Sequence, residues 1–230
     1  MVKLHLKRLA SPKTWPIPKK TLTFIARPFP GPHKLEHQIP ISVFLRDLIG
    51  VVHTQKEVKY VLHNKDCLID GDVCHDNKRP VGLFDVVSLP KAKSFYRLTV
   101  TSKNKLAPVA ISEKEAKTKI SKIVGKTSLK KGKVQLNLSD GRNILVDEAK
   151  AYAIGDSLLL ELPGQKIADH FPFTKDAPVF LIGGRHVGAV AQLQDIDNTH
   201  VTVKVGEDSF KTKRSYAVVI GKNKPIITVE

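Results

Sequence analysis

Cys67, Cys74 and His75 are the residues of this 230-residue chain whose types best suit a metal ion. Their spacing does not: two cysteines seven apart form neither a CxxC nor half of a four-ligand zinc set, so free thiols, with no metal and no cofactor, are expected. Asp140, beside Gly141 and Arg142, has the company of an RNA-modifying aspartate, but an Asp-Gly pair is first of all a turn former. Neither a phosphate loop nor a GxGxxG, GxSxG or HExxH pattern occurs, and no catalytic residue is expected. What remains is the chemistry of cations beside aromatic rings. Lys3, His5, Lys7, Arg8, Lys13, Lys19, Lys20, Arg27, His33 and Lys34 are interleaved with Trp15, Phe24 and Phe29. Cations neutralise phosphates and rings stack on unpaired bases, which is how proteins hold single-stranded or looped RNA. Trp15 and Phe29 are expected to stack on bases or to pack against a neighbouring protein.

The charge map supports a polyanion partner. Net charge is +16, carried as +7 over residues 1–39, −1 over 40–90, +11 over 91–134, −4 over 135–203 and +3 beyond. Each phosphate neutralised by Lys or Arg releases condensed counterions, so two basic blocks of this size point to nucleic acid. A membrane surface fits less well, since no run approaches the ~18–20 apolar residues of a spanning helix. The start MVKLHLKRLA lacks the apolar core of a secretory signal, and a cytoplasmic protein is expected.

Residues 1–39, which hold the first of these cations and rings, carry six prolines and one acid, Glu36. Such a tract forms no continuous helix or central strand, and it is expected to be disordered until an acidic partner fixes it. Deleting residues 2–34 is then expected to leave the folded core intact. From Pro40, the run ISVFLRDLIG has Val43, Phe44, Leu48 and Ile49 at helical spacing, with Gly50 as its stop. Thr54 and Glu57 form a capping box ahead of Val58 and Leu62, predicting a second short helix. CLIDG (67–71) turns at Asp70-Gly71 into Val73, and FDVVSL (84–89) and FYRLTV (95–100) read as strands.

Residues 102–133 hold ten lysines against Glu113 and Glu115, with one helix opened by Ser112 and Glu115, and read as an exposed basic block, either contacting RNA, with Lys103 and Lys105 among the contacts, or simply a solvated face. Val134, Leu136 and Leu138 then alternate up to Asp140-Gly141, and Ile144 and Val146 return, predicting a hairpin. Strands follow at 157–163 and 166–173, and a five-strand pattern runs from Ala177 to Gly221. Within it, glycines 183, 184 and 188 flank Arg185-His186 and permit close approach of another backbone. The consistent alternation at 134–146 and 178–220 predicts modules that fold without RNA.

HLKRLASPKTW (5–15), RPFPGPHKL (27–35), PISVFLRDLIG (40–50), the CLIDGDVCHD and RPVGLFDVVSL stretches (67–89), GGRHVGAV (183–190) and YAVVIGKNKPIITV (216–229) together resemble the archaeal and eukaryotic type of small-subunit ribosomal protein four, the S4e family. The resemblance spans essentially the whole chain, and the short C-terminus is similar to the archaeal form. It implies an α+β, mostly β protein. Its parts are an extended rRNA-contacting tract (1–39), an S4-type RNA-binding domain (40–101), a central β-rich domain with the Lys-rich segment (102–175), an SH3-like barrel with a KOW-type loop (176–221) and a tail (222–230). In the S4-type region, net charge −1, the grip on RNA falls to Arg46, Lys56, Lys59, Lys65 and Arg79; in the barrel and tail it falls to Arg185, His186, Lys222 and Lys224. The implied role is a structural constituent of the small ribosomal subunit. Its partners are small-subunit rRNA and neighbouring ribosomal proteins, without a membrane or a small-molecule substrate. An RNA-modifying enzyme with an S4-type domain, or a KOW-containing transcription elongation factor, is the alternative.

Overall fold

The computed structural model describes residues 5–129, 132–147, 149–206 and 208–229. The chain is mostly β with few helices and divides into two compact units, one of residues 1–99 and 105–117, the other of 100–104 and 118–230.

In the first unit, β1 (Leu6–Lys7) pairs antiparallel with β2 (Phe24–Ile25), and β3 (Gln38–Pro40) pairs with β6 (Pro80–Gly82). The five-stranded sheet runs β5 (Asp72–Val73), β4 (Leu68–Ile69), β7 (Val86–Leu89), β8 (Ser94–Val100) and β9 (Leu106–Ala110). Asp70 and Gly71 both have positive φ (53° and 84°), the paired left-handed conformation that a two-residue hairpin turn requires. After Pro40 the chain makes one α-turn, α1 (Ile41–Val43), and then widens into a π-helix at Phe44–Ile49 instead of the regular helix that the spacing predicts. Gly50, at φ 75°, donates its N–H to Leu45 O five residues back (3.1 Å) and ends the turn. The second helix, α2 (Gln55–His63), carries the expected capping box, with Val58 and Leu62 buried.

The basic tract is not a loose tail here. Leu6, Trp15, Ile17 and Ile25 are buried, and the Trp15 indole N–H donates to Gln38 O (2.8 Å). Thr14 donates its hydroxyl to Glu36 O (2.7 Å), Leu106 N–H donates to Thr14 O (2.8 Å), and Phe29 N–H donates to Lys78 O (3.0 Å). Composition misleads because four well-spaced apolar residues suffice to seat a proline-stiffened strap whose backbone groups find partners on the domain beneath.

In the second unit, the central sheet is antiparallel in the order β12 (Asn143–Val146), β11 (Val134–Leu138), β10 (Thr118–Ser128), β13 (Ser157–Glu161) and β14 (Lys166–Phe171). Ile123, Val134, Leu136, Leu138, Leu158 and Leu160 form its core, so the predicted inward set of the hairpin is the observed one. Two lysines of the basic stretch depart from its reading as an exposed block. Its first part belongs to the first unit, where Ser112 caps α3 (Glu113–Ala116), accepting the Glu115 N–H (3.3 Å), while the Glu115 carboxylate meets the buried Arg97 guanidinium. Thr118–Ser128 is the middle strand of the sheet, and its lysines at 119 and 122 are buried. Lys119 pairs with Asp140 (3.2 Å), the two side chains only 1% and 2% exposed. The turn at Asp140 therefore also supplies the counter-charge that lets a lysine lie inside a sheet.

The C-terminal sheet runs β18 (Asp208–Lys213), β17 (His200–Val205), β16 (Val190–Ile196), β15 (Pro178–Leu181) and β19 (Ala217–Val219). Gly188, at φ 81°, comes so near the backbone of Val100–Ser102 that a Cβ would stand 2.5 Å from Thr101 C and 2.7 Å from Ser102 N. Strain and clash act together there. Gly188→Ala is expected to lower unfolding stability by roughly 2 kcal/mol, read as a drop in the denaturation midpoint; an unchanged midpoint would refute the close approach.

Candidate nucleic-acid interface

The best-defined cationic surface is the outer face of α2. Burial of Val58 and Leu62 turns Lys56, Lys59, Tyr60 and His63 outward, three and four residues apart, on one side of the helix. The Thr54 hydroxyl accepts from Glu57 N–H (3.2 Å), and the Glu57 carboxylate accepts from His53 N–H (2.8 Å), holding that carboxyl below its ordinary range. The acid is thus spent on the helix end, away from the two lysines. Tyr60, 70% exposed, is a ring that sequence reasoning passed over. Its signal was its phase, two residues from each inward residue of a capped helix. Lys65 follows, exposed, with φ 59°.

Other cations assigned to RNA are occupied within the fold. Arg46 in the π-turn donates to both carboxylate oxygens of Asp47 (3.1 and 2.8 Å), a pairing that raises its pKa. Arg79 donates to Val73 O (3.0 Å) and braces the 68–73 hairpin. Arg8 is buried with its Nε donating to Pro18 O (2.5 Å), and Trp15 is 1% exposed, its indole spent on Gln38. Neither side chain meets an outside partner in this conformation. His33 sits 3.5 Å from Asp85, and its ring lies 1.9 Å from where a Cβ on Gly82 would stand, so Gly82 exists to admit it. Lys105 donates its amine to the backbone carbonyl of Lys13. Cys67 and Cys74 are buried free thiols, pushed up to about 12 and about 11 by desolvation and so unreactive.

The remaining assigned residues of this unit lie at the surface: His5, Lys7, Lys13 and Lys34 exposed, Arg27 half-buried. Lys3 lies outside the described residues. In the second unit Lys103, Arg185 and Lys224 are exposed. His186 stacks on Phe210 with ring centroids 4.0 Å apart and planes at 21°, which fixes the loop beside Arg185. Lys222 is paired with Asp169 (2.9 Å), a hydrogen bond that holds that carboxyl below its ordinary range. The fold thus engages at least eight of the twenty named side chains itself: Arg8, Trp15, His33, Arg46, Arg79, Lys105, His186 and Lys222. No helix of the described residues is long and apolar enough to cross a membrane.

Comparison with known proteins follows the same lines. The model of the ribosomal family S4e matches residues 92–167, and that of the RS4NT domain matches residues 2–36. The small ribosomal subunit protein eS4 of Methanosphaera stadtmanae is 40% identical, over 98% of this chain and 95% of the relative. That of Archaeoglobus fulgidus is 38% identical, over 99% and 98%. The crystal structure of the 30S ribosomal protein S4e from Thermoplasma acidophilum has the same fold, at a TM-score of 0.71 and 22% identity, over 81% of this chain and 96% of that one.

Proposed function

The chain belongs to the ribosomal S4e family, and we propose that it is a structural constituent of the small ribosomal subunit that binds and orders small-subunit rRNA in the cytoplasm. The observation that carries this reading is identity of 40% along nearly the whole chain with a small-subunit protein, in a chain of net charge +16. Two short helices against a hairpin sheet in residues 40–101 support an S4-type domain, with the Lys56, Lys59 and Tyr60 face toward RNA. Five antiparallel strands with a glycine-bordered Arg185-His186 loop support an SH3-like barrel with a KOW-type loop in 176–221. The role is non-catalytic: folded modules set register against RNA shape while exposed cations neutralise phosphates.

Binding to small-subunit rRNA is accordingly expected to be steeply salt-dependent. If the exposed lysines engage about five phosphates, affinity falls on the order of a hundredfold between ~50 and ~200 mM salt. A filter-binding series across that range is the test, and a change below about threefold would remove the electrostatic account. Sedimentation separates the alternatives, because a constituent travels with the small subunit, a transcription factor with polymerase and a modifying enzyme mostly free.

A further inference from the structure

The β1–β2 hairpin is apolar on both faces. Leu6 and Ile25 pair across the strands and are buried. On the other side Lys7 pairs with Phe24, and Arg8 N–H donates to Thr23 O (2.9 Å), leaving Leu9 and Leu22 next along the two segments. Leu9, Leu22 and Phe24 are 69%, 65% and 55% exposed, and His5 lies edge-on to the Phe24 ring at 5.7 Å. Phe24 on β2, Leu9 in the 3-10 turn that follows β1 and Leu22 just ahead of β2 thus leave three large apolar side chains exposed around one end of the ladder, a surface that expects cover.

Nucleic acid covers it poorly. Phe24 can stack on a base, but leucine has no aromatic face and no donor, so RNA would leave both leucines wet. A second copy of the chain covers it no better. Residues 1–35 contain no Asp or Glu, so an isologous pairing would set Lys7 and Lys20 against their own images with no carboxylate between them.

We propose that this outer surface, Leu9, Leu22 and Phe24 with Lys7 across from Phe24 and the exposed Lys20 two residues before Leu22, docks an apolar, carboxylate-rimmed surface of another protein of the small subunit. The inference rests on the ribosomal reading and divides the basic tract between two kinds of partner, a protein at the hairpin and RNA elsewhere. Aliphatic burial supplies the contact, and the lysines select an acidic rim over a basic one.

The test uses the full chain with a photoreactive diazirine leucine analogue at position 22, incorporated into small subunits and irradiated, with crosslinked peptides identified by mass spectrometry. The expected product is a nuclease-resistant crosslink to a peptide of another small-subunit protein that contains Asp or Glu beside apolar residues. Crosslinks only to rRNA, only to a second copy, only within the chain, or none at all overturn the proposal while leaving the ribosomal reading in place. A second measurement uses the double variant Leu9→Ser, Leu22→Ser, whose changes are on the solvent side of the fold. It is expected to bind naked rRNA within twofold of the unaltered chain and to lose at least fivefold in competition for incorporation. Equal competition overturns the proposal, and an unaltered chain that never sediments with the small subunit removes the ribosomal reading and the proposal with it.

Discussion

Lys122→Met is expected to destabilise the second unit by about 3 kcal/mol, although methionine keeps most of the buried volume. Lys122 Nζ donates to Ala217 O (2.6 Å), to Arg214 O (2.8 Å) and, more weakly, to Ser215 O (3.4 Å). This amine and the Arg214 guanidinium both stand over the Phe173 ring, 5.7 and 5.1 Å from its centroid. Arg214 in turn donates to Ile154 O (2.7 Å). A strand of the central sheet is thereby fastened to the turn that opens the last strand of the C-terminal sheet. Charged hydrogen bonds contribute about 1.5–3 kcal/mol each, and the cost of burying the amine offsets part of that sum. The amine also titrates. Burial first, and Arg214 second, push it down to about 8 from 10.5. Since the unfolded chain keeps its proton up to higher pH than the folded one, stability should rise as pH climbs from about 8 toward 10.5, and stay flat with respect to this group below 8. Urea titrations at several pH values check both points. The methionine variant should lack this group's contribution to the alkaline rise, and an identical slope in the two proteins would mean that Lys122 is not the group responsible.

Trp15→Ala should cost the first unit about 3–5 kcal/mol, the range for truncating a large buried aromatic side chain. The indole is almost fully buried, and its N–H is satisfied by Gln38 O, so the substitution opens a cavity and orphans a carbonyl together. Thermal unfolding followed by near-ultraviolet circular dichroism is the measurement. The consequence reaches the tract as a whole: removing residues 2–34 should destabilise the first unit, contrary to the expectation drawn from proline and charge content. Full retention of stability in either variant would return these residues to the status of a solvated tail.

What was legible in the sequence was whatever rests on local chemistry. Thr54 and Glu57 announced a helix end that forms as written, Asp70-Gly71 announced a hairpin turn with both φ positive, and Val134, Leu136 and Leu138 announced the inward side of a hairpin. What was hidden depended on partners distant in sequence. Lys119 and Lys122 read as solvated because their counter-groups, Asp140 and the carbonyls near 214–217, lie up to 95 residues away. The π-turn at Phe44–Ile49 was hidden because its apolar spacing also fits an α-helix. Composition names the cations of the candidate interface but not their geometry: the pairing of Arg46 with Asp47 and the burial of Arg8 are invisible in it, and so is the outward phase of Tyr60.

The chain crosses between its two units three times, at residues 99/100, 104/105 and 117/118. A polypeptide emerging from its N-terminus onward therefore cannot finish the first unit when residue 99 appears, because β9 and α3 are still to come. Residues 100–104 wait longer still, since the close approach at Thr101 and Ser102 is supplied by Gly188. During synthesis at ~5–20 residues per second, that short segment stays without its native neighbour for roughly 4–17 s after it is made. The late glycine loop thus supplies the native neighbour of residues 100–104 well after they are made, and slowing elongation between residues 105 and 188 should lengthen the interval in which that segment is exposed to proteolysis and mispairing.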